Sequence, residues 1–441
     1  MLTDIREKYN VQPAAISISE VDFPSPFKST LEFNPPVHGM WNIVHTGMLI
    51  PDSHQIYICS ANCMRGVVLT AAEMNAMGRF SQVLIKEKDV LAGSIERLTV
   101  DGVCDVLKKL DYKPKAVLTF TVCVHHFLGS DLDWIYSKLK RRNPDVMFIR
   151  CFMDPIMRKS GPSPDQKMRK SLYEPIKALP ENKRTVTVLG SDFALDEDSD
   201  IKTLLKSGGF NVLEIAAAKS FDEYMKTGES SLFITCYPQA LYGARALSKR
   251  LGRPLLYMPM TFNMDEIDQN EKRLCLALGI AQRDSSPLRD SALSALRHLK
   301  NEIKDTRLAI DYTFHPRPLS LARLLLDNGF NVAKIYLDVI SDEEKRDFYY
   351  LKENYPGLLL CSNADPGGRL AHGGDTKTLA LGQKAAWFTG TRHFVNIVEG
   401  AGWYGYDGII KLCRKAQKAF QTEKEPEDIL PRKGLGCESC F

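Results

Sequence analysis

The chain has 441 residues, with 58 Lys or Arg against 54 Asp or Glu and a formal net charge of +4 at pH 7. So small a net charge excludes a nucleic-acid-binding arm or a polybasic membrane surface as the main feature of the chain. Charged residues at 25% and aromatic residues at 9% are ordinary for a folded protein, and the length predicts about two to four domains with ample core.

The composition also bears on the compartment. No stretch reaches the roughly 18 consecutive apolar residues of a membrane span. The first residues, MLTDIREKYN, carry acids where a signal peptide would be basic and then apolar. We therefore expect a cytoplasmic protein that binds neither membrane nor nucleic acid. Eleven cysteines in such a chain argue against a disulfide framework and raise the question of which thiols bind metal.

In chain order, residues 1–36 are rich in proline and predict an irregular N-terminal arm. Beyond the arm, short β-rich runs alternate with stretches of helical period. The strands predicted in this part lie in IYIC, KAVLTF, RTVTVLG, NVLEIAAA, SLFITCY and PLLYMP. Ser130 and Asp131 open the helix LDWIYSKLKRR, and another helix runs through ALYGARALSKRLG. The polar runs 179–183 and 282–291 are candidate linkers.

The same scheme restarts at TRLAIDYT. Strands NVAKIYLDV, GLLLCS and HFVNIV follow, with helices through LSLARLLLDNGF and KTLALGQKAAWFTG. Strands alternating with helices of this length predict parallel sheets with helices on both faces. GGFNV at 208–212 and NGFNV at 328–332 indicate either a repeated domain or a common helix-stop turn.

Three cysteines are placed to bind a metal cluster. Cys59 ends a predicted strand, and its spacing of four from Cys63 predicts that both thiols share a helical face. Cys123 directly follows the strand KAVLTFT, at the strand end where doubly wound folds bind their ligands. Thiolates beside helix N-termini favour soft metals and Fe–S clusters. The alternative is that these cysteines are small apolar residues of a core.

The other cysteines fall into three groups. Cys236 ends the strand SLFITC in the same way as Cys123, with simple burial as the alternative. Core packing is expected for the cysteines on apolar helix faces and in strand-like runs: Cys104, Cys151, Cys275, Cys361 and Cys413. Cys437 and Cys440 form a C-terminal CxxC that either binds metal, cycles between dithiol and disulfide, or belongs to an inert tail.

Several segments resemble the nitrogenase component 1 family, over roughly residues 37–420. ICSANCMRG and KPKAVLTFTVCVHHFLGSDLDWIYSKL are similar to segments around two cluster cysteines, with Cys63 and Cys123 in those positions. SLFITCYPQALYGARALSKRLGRPLLYMP resembles the catalytic subunit's segment whose cysteine holds the terminal iron of the active-site cofactor, and Cys236 matches that cysteine. HFVNIVEGAGWYGYDGI looks like the family's His-containing stretch.

The resemblance implies an α/β fold of three doubly wound, parallel-sheet (Rossmann-like) domains around a central cleft. The first domain would carry the Fe–S cluster cysteines, and the second would carry Cys236. The implied boundaries are an arm at 1–36, domains at 37–180, 181–290 and 291–421, and a tail at 422–441.

The resemblance also implies a two-component oxidoreductase. A separate ATP-dependent iron protein would deliver electrons to an Fe–S cluster, [4Fe–4S] or P-cluster-like, on Cys59, Cys63 and Cys123. Three thiolates are one short of a [4Fe–4S] set. A related component 1 subunit or a second copy would supply the rest, in a homodimer or heterotetramer. Cys236 would face a cavity for a small-molecule substrate or a second iron–sulfur cofactor.

The sequence departs from the family pattern in two places. Residues 31–58 contain no cysteine where the family has its first cluster ligand, and Cys59 takes that place. The family's cofactor-binding histidine is out of register, because Asn396 falls near its position with one gap and His393 lies about one turn earlier. The Gly- and aromatic-rich run GWYGYDG indicates backbone close to a ligand or a tight junction.

Three functions are therefore open: a catalytic reductase subunit, a non-catalytic scaffold or carrier of a cluster, and a cluster-free α/β binding protein. His45, His125 and His126 are candidate catalytic proton donors, or else hydrogen-bonded structural residues. We expect no G-x-G-x-x-G fingerprint, no P-loop and no G-x-S-x-G elbow in the chain, and hence no ATPase, NAD enzyme or hydrolase of the serine-elbow type.

Overall fold

The computed structural model describes residues 14–27, 37, 43–154, 161–365 and 377–425. Strands alternate with helices throughout these residues. The first strands are β1 Ala15–Ser17, β2 Ser53–Cys59, β3 Phe80–Leu84, β4 Ala116–Val122, β5 Met147–Met153, β6 Asn182–Leu189, β7 Asn211–Glu214, β8 Ser230–Thr235 and β9 Leu255–Tyr257. They are followed by β10 Arg307–Asp311, β11 Asn331–Tyr336, β12 Leu359–Cys361, β13 Thr378–Leu381 and β14 His393–Val395.

The helices fall between these strands. Those of the first half are α1 Ile43–Met48, α2 Arg65–Glu73, α3 Glu87–Leu91, α4 Ile95–Lys109, α5 Cys123–Phe127, α6 Leu132–Arg142, α7 Pro164–Tyr173, α8 Asp200–Ser207 and α9 Phe221–Met225. Those of the second half are α10 Leu241–Leu251, α11 Met264–Leu278, α12 Ser286–Ile303, α13 Pro318–Asp327, α14 Lys345–Asn354, α15 Gln383–Thr389 and α16 Gly405–Gln421. None of the described helices is both long and apolar enough to cross a membrane.

The strands form three sheets. Sheet 1 has the order β3-β2-β4-β5, sheet 2 the order β7-β6-β8-β9, and sheet 3 the order β1-β12-β11-β10-β13-β14. Neighbouring strands pair in parallel except β1, which pairs antiparallel with β12. The predicted α/β fold with three doubly wound parallel sheets is confirmed.

Each sheet has one point at which the strand order reverses. In sheet 1 it lies between β2 and β4, in sheet 2 between β6 and β8, and in sheet 3 between β10 and β13. The connections from the two strands at such a point leave in opposite directions, so a crevice opens at their carboxyl ends. These three switch points are the places where the fold itself provides room for a ligand.

Burial explains the apolar character of the central strands. All seven residues of β2 and all seven of β4 are buried, because helices cover both faces of a parallel sheet. The chain forms two compact units. One comprises 41–194 and 209–258, with sheets 1 and 2; the other includes 195–208 and 259–425, with sheet 3 and α8. Each unit has its own apolar core.

Most predicted elements are present, and three expectations were wrong. TLAL, expected in a helix, is strand β13, because these four buried residues (378–381) pair with β10 and lie between β10 and β14 in sheet 3. Helix α12 begins at Ser286, inside the stretch 282–291 expected to be a linker. Part of the N-terminal arm is not irregular, since β1 pairs with β12 through Ala15 and Cys361.

Helices α7 and α10 pack so closely that only glycine fits at one position of α10. A Cβ on Gly243 would lie 2.8 Å from the backbone nitrogen of Lys170 and 2.9 Å from its Cα. Gly243→Ala should lower the free energy of unfolding by about 1–3 kcal/mol, because backbone atoms cannot move aside singly. The control is Gly66→Ala in α2, where a Cβ meets nothing within 4 Å.

The control Gly66→Ala should leave the free energy of unfolding unchanged or raise it by up to about 1 kcal/mol. Urea unfolding followed by circular dichroism measures both variants. Equal midpoints for Gly243→Ala and the wild type would contradict the close helix contact.

Candidate functional site

Three thiols lie near the switch point of sheet 1. Cys59 is the last residue of β2, and Cys123 directly follows β4 as the first residue of α5. Because Tyr57 and Phe120 pair in parallel register, Cys59 and Cys123 lie at the same edge of the sheet. Cys63 lies in the short turn that connects β2 to α2. The fold thus places all three predicted cluster ligands at, or just beyond, the carboxyl ends of two neighbouring strands.

The environments of Cys59 and Cys63 differ. Cys59 is fully buried, and burial raises the pKa of its thiol to about 11. The side-chain amide of Gln82 donates to Cys59 Sγ at 3.6 Å and to two nearby backbone carbonyls. Cys63 is exposed, with Sγ 3.3 Å from Ser60 Oγ. The expectation that Cys59 and Cys63 share a helical face was wrong, because Cys59 belongs to the strand.

As the structure places them, the three thiols are too far apart to hold one zinc ion together. The sulfurs of Cys59, Cys63 and Cys123 are not all within 4.8 Å of one another. A tetrahedral zinc ion, with Zn–S bonds of about 2.3 Å, holds its thiolates closer than that. A cluster instead places several iron atoms between its thiolates. The amide contact from Gln82 is also of the kind that orients a sulfur ligand.

The two adjacent histidines of α5 have different surroundings. His125 is buried, its Nδ1 accepts the backbone N–H of Val122 at 3.3 Å, and its Nε2 lies 3.2 Å from Thr99 Oγ1. Burial lowers the pKa of His125, so the ring stays neutral with both nitrogens engaged. His126 is exposed, and its Nδ1 lies 3.7 Å from the buried carboxylate of Asp154, just beyond β5. Of the two, His126 is better placed to exchange a proton with solvent.

Cys236 directly follows β8 at the switch point of sheet 2. It is buried, and burial raises the pKa of its thiol, with the carboxylate of Glu214 adding to the shift. Gly190, which follows β6, comes close to the same strand end. A Cβ on Gly190 would lie 2.9 Å from Thr235 Oγ1 and 3.2 Å from Tyr237 Cβ, and its φ of +136° also favours glycine. The strand end that precedes Cys236 is therefore tightly packed.

A buried ion-pair cluster connects the two strand ends of sheet 2. Arg169, on α7, is completely buried, donates to the carbonyl of Gly190 and lies 4.8 Å from the ring centre of Tyr237. Its guanidinium pairs with Asp165 at 2.8 Å and with Asp192 at 2.9 Å. The sequence signal is the i,i+4 spacing of an acid and a base in α7, which is common on solvated helices and did not identify this cluster.

Two carboxylates against one guanidinium give this cluster an excess of negative charge. Burial raises the pKa of Asp165 to about 6, with Arg169 opposing the shift and Asp192 adding to it. His45, a residue of α1, is buried, and burial lowers the pKa of its ring while Asp192 acts to raise it. Thr46 Oγ1 donates to Asp192 at 3.1 Å. His45 and Thr46 therefore both lie beside Asp192, a member of this cluster.

The two predicted cofactor-binding residues of sheet 3 lie at opposite ends of β14. His393 begins the strand and its Nδ1 donates to the carbonyl oxygen of Ala419 at 3.0 Å. Asn396 directly follows the strand, is buried, and accepts a hydrogen bond from Gln383 Nε2 at 2.6 Å. Asn396 is thus at the ligand-binding edge of sheet 3 and His393 is not.

A glycine motif missed in the sequence lies between β14 and α16. Residues 400–405, GAGWYG, have the G-x-G-x-x-G spacing of dinucleotide-binding loops, in which a phosphate accepts N–H groups of the helix start. In this chain Asp200, from α8, accepts the backbone N–H groups of Tyr406 and Asp407. An internal carboxylate therefore occupies the position that a phosphate takes in such loops.

The remaining cysteines agree with the expected core packing. All five are between 0% and 8% exposed: Cys104, Cys151, Cys275, Cys361 and Cys413. Cys437 and Cys440 lie outside the described residues.

Comparisons with known proteins agree with this architecture. A family model described as nitrogenase component 1 type oxidoreductase matches residues 45–368. The solved structure titled "Nitrogenase Cp1 at pH 6.5" is similar, with a TM-score of 0.65 at 13% identity over 91% of this chain and 95% of that chain. The structure titled "Nitrogenase Cp1 at pH 5" has a TM-score of 0.58 at 11% identity, over 92% and 93%. The curated proteins searched give no match.

Thiol accessibility should separate the cysteines of the metal-free, reduced chain. At pH 8, iodoacetamide should label Cys63 first, because it is exposed, and Cys123 more slowly, because it is half-buried. Cys59 should stay unlabelled, since burial and a pKa near 11 leave little thiolate. Peptide mass spectrometry over time measures each rate, with buried Cys151 as the unreactive control. Labelling of Cys59 as fast as Cys63 would contradict the described geometry.

Breaking the Arg169 cluster should strongly destabilise the folded chain. Arg169→Met leaves two buried carboxylates unpaired and should lower the free energy of unfolding by about 3–5 kcal/mol. The matched control is Arg97→Met, which breaks an i,i+4 pair with Asp101 whose Arg side chain is 85% exposed. Arg97→Met should change the free energy of unfolding by about 0.5 kcal/mol or less. Urea denaturation of both variants makes the comparison, and similar losses would show that the Arg169 cluster is not structurally special.

Proposed function

The chain belongs to the nitrogenase component 1 type oxidoreductases, and on that premise we propose that it is a nitrogenase-like reductase subunit. It receives low-potential electrons from an ATP-dependent iron protein and reduces a small substrate near Cys236. The observation that carries the proposal is the gathering of Cys59, Cys63 and Cys123 near the switch point of sheet 1.

Those three cysteines would hold an Fe–S cluster, which supplies one-electron transfer at low potential when bound. The chain offers three thiolates, so a fourth ligand comes from a second copy or a related component 1 subunit. Cys63 is the exposed member of the set and is accessible to such a partner. The Gln82 amide, which donates to Cys59 Sγ, would keep that sulfur oriented.

Protons must accompany the electrons in most reductions. The exposed ring of His126, three residues after Cys123, lies against the buried carboxylate of Asp154. Its imidazole would take a proton from solvent and hold it at Nδ1. His45, next to Asp192, would serve the surroundings of Cys236 in the same way. His125 has both ring nitrogens engaged, so its proposed part is to fix the start of α5.

Cys236 would bind a second iron–sulfur cofactor or face the substrate. Binding a metal requires the thiolate, and burial favours the thiol, so loading at Cys236 would release a proton. The Arg169 cluster would hold the strand ends on either side while this happens. Asn396, at the corresponding edge of sheet 3, is the stronger candidate for contact with a cofactor, because the His393 ring is bonded to α16.

A scaffold that holds a cluster for another protein is the second candidate. The observation in its favour is that the His393 ring is engaged with Ala419, so a complete catalytic cofactor would lack its usual imidazole ligand from this stretch. The two candidates share cluster binding and differ in turnover. A reductase is expected to reduce a substrate when ATP and an iron protein are supplied, and a scaffold is not.

Iron analysis tests the cluster assignment. After anaerobic purification, the wild-type chain should hold about four or more iron atoms with matching acid-labile sulfide, and dithionite-reduced samples should give a cluster EPR signal. Cys123→Ala should lose most of this iron. Cys413→Ala, which changes a buried thiol of α16, is the control and should keep it.

Cys236→Ala separates the two sites. It should retain the EPR signal of the Cys123 cluster and lose reductase activity with an iron protein. Unchanged activity would remove Cys236 from the active site. Absence of iron from a folded wild-type chain, produced with cluster-assembly machinery, would overturn both the reductase and the scaffold proposals.

A further inference from the structure

A cavity lies at the amino-terminal edge of sheet 1, opposite the edge that carries the cysteines. Its volume is about 640 Å³, which is within the range of small-molecule sites. Arg79 directly precedes β3, Lys115 directly precedes β4 and Asp52 directly precedes β2, so the starts of three neighbouring strands border the cavity. The charged and polar side chains among its lining residues include Asp52, Arg79, Tyr112, Lys113, Lys115 and Lys219.

The charges around this cavity do not balance. Four of its lining side chains are cationic and one, that of Asp52, is acidic. Lys113 pairs with Asp145 at 2.8 Å. None of the other three cations has a carboxylate within ion-pair distance among the described residues, and Asp52 acts on Arg79 only from farther away. Setting Asp52 and Asp145 against the four cations leaves two positive charges in excess.

Arg79 is held in place by neutral groups. Its Nε donates to the carbonyl oxygen of Ser53 at 3.0 Å, and its Nη2 donates to Ile50 O and to Ser53 Oγ, both at 2.8 Å. These acceptors fix the guanidinium and leave its charge uncancelled. Nη1 makes no hydrogen bond to any residue that the structure describes. Burial acts to lower the pKa of Arg79, because water solvates the half-buried guanidinium less well.

Tyr112, the aromatic residue of the cavity lining, is also held by neutral groups. Its Oη lies 2.6 Å from Nδ1 of the fully buried His54, and His54 Nε2 lies 2.8 Å from Ser81 Oγ. Burial lowers the pKa of His54 to about 4, and the positive charge of Arg79 acts in the same direction. The imidazole is therefore neutral at pH 7 and adds no charge to the cavity.

Asp52 connects the segments that carry the lysines. Its φ is +53°, which residues with a Cβ adopt at a cost. In this conformation its carbonyl oxygen accepts the N–H of Lys115 at 2.9 Å, and its carboxylate accepts the N–H of Phe221 at 2.9 Å. The segments of Lys115 and Lys219 are thereby tied to the same loop. All of these residues belong to one compact unit.

We propose that this cavity binds a phosphate dianion, either free phosphate or the phosphate group of a small molecule. Arg79 would donate from Nη1, as guanidinium groups commonly do to phosphate oxygens, and the ammonium groups of Lys115 and Lys219 would add positive charge. A phosphate monoester carries a charge of about −1.5 to −2 at pH 7, which matches the two positive charges in excess. A single carboxylate would match only half of them.

The proposed phosphate site is independent of the reductase proposal. It lies at the amino-terminal edge of sheet 1, whereas Cys59 and Cys123 lie at the carboxyl edge. Its residues take no part in the proposed cluster or in the surroundings of Cys236. Loss of phosphate binding should therefore leave the iron content of the chain unchanged.

Exposed lysines allow the site to be tested with little risk to the fold. Lys115→Met and Lys219→Met each remove an exposed ammonium group that makes no ion pair within the described residues, so the melting temperature should hold. Lys88→Met is the matched control, because Lys88 is exposed on α3, which follows β3 at the opposite edge of sheet 1. Arg79→Lys keeps the charge and removes the planar group that bonds to Ser53.

Isothermal titration of the full chain measures binding, with inorganic phosphate and glycerol 3-phosphate as probes and acetate as the monoanion control. A salt concentration of about 0.15 M KCl screens diffuse attraction between exposed charges. Lys115→Met and Lys219→Met should each bind both phosphate probes about 3- to 10-fold more weakly than the wild type. Arg79→Lys should bind them about 10- to 100-fold more weakly, and Lys88→Met should bind them like the wild type.

The two phosphate probes identify the source of the ligand. Tighter binding of glycerol 3-phosphate would identify a phosphorylated small molecule, and tighter binding of inorganic phosphate would identify the free ion. Equal phosphate binding by the wild type and both lysine variants would overturn the proposal. Binding of acetate as tight as that of phosphate, or failure of the wild type to bind either phosphate probe, would overturn it as well.

Discussion

Parallel strand pairing is the constraint on which the rest of the structure depends. A parallel strand must be followed by a crossover, so every strand of a sheet ends at the same edge, and a reversal of strand order opens a crevice there. Sheets 1, 2 and 3 each have one reversal. Cys123 directly follows β4, Cys236 directly follows β8, and Asn396 directly follows β14, so candidate site residues lie at this edge of all three sheets.

Placing polar groups at such edges is costly, and the chain compensates with buried ion pairs. Arg169 satisfies Asp165 and Asp192 beside the crevice of sheet 2. Arg317, shortly beyond β10, does the same for Glu266 and Asp347. Buried ion pairs add little net stability compared with apolar packing, but they fix geometry, since breaking one leaves an isolated buried charge. Arg169 also holds the backbone of Gly190 next to a proposed site, which is where fixed geometry matters most.

The sequence predicted those features that depend on local chemistry. Asp131 caps α6 as expected, through a bond from Trp134 N, and Cys123 and Cys236 follow strands whose apolar runs were recognisable. Prediction from the sequence failed where pairing between distant segments determines the structure. The residues TLAL were predicted to begin a helix, because helix α15 follows them almost directly. In the structure they instead form a strand that pairs with β10. Arg169 and Arg79 were not identified, because nothing local shows that an Arg on a polar helix will be buried or that an Arg before a strand will line a cavity.

The four cysteines proposed as ligands also differ in a way that constrains how any cluster is held. Cys59 and Cys236 are buried, and burial raises the pKa of both thiols, whereas Cys63 is exposed. An exposed ligand places that side of the sheet 1 site within reach of another chain. In the proposed function the three thiolates would be one short of a [4Fe–4S] set, and Cys63 marks the side from which another chain would supply a ligand. Cys236, by contrast, is only 5% exposed. The thiols therefore differ in what can reach them, since solvent or another chain reaches Cys63 directly whereas Cys59 and Cys236 are covered by this chain itself.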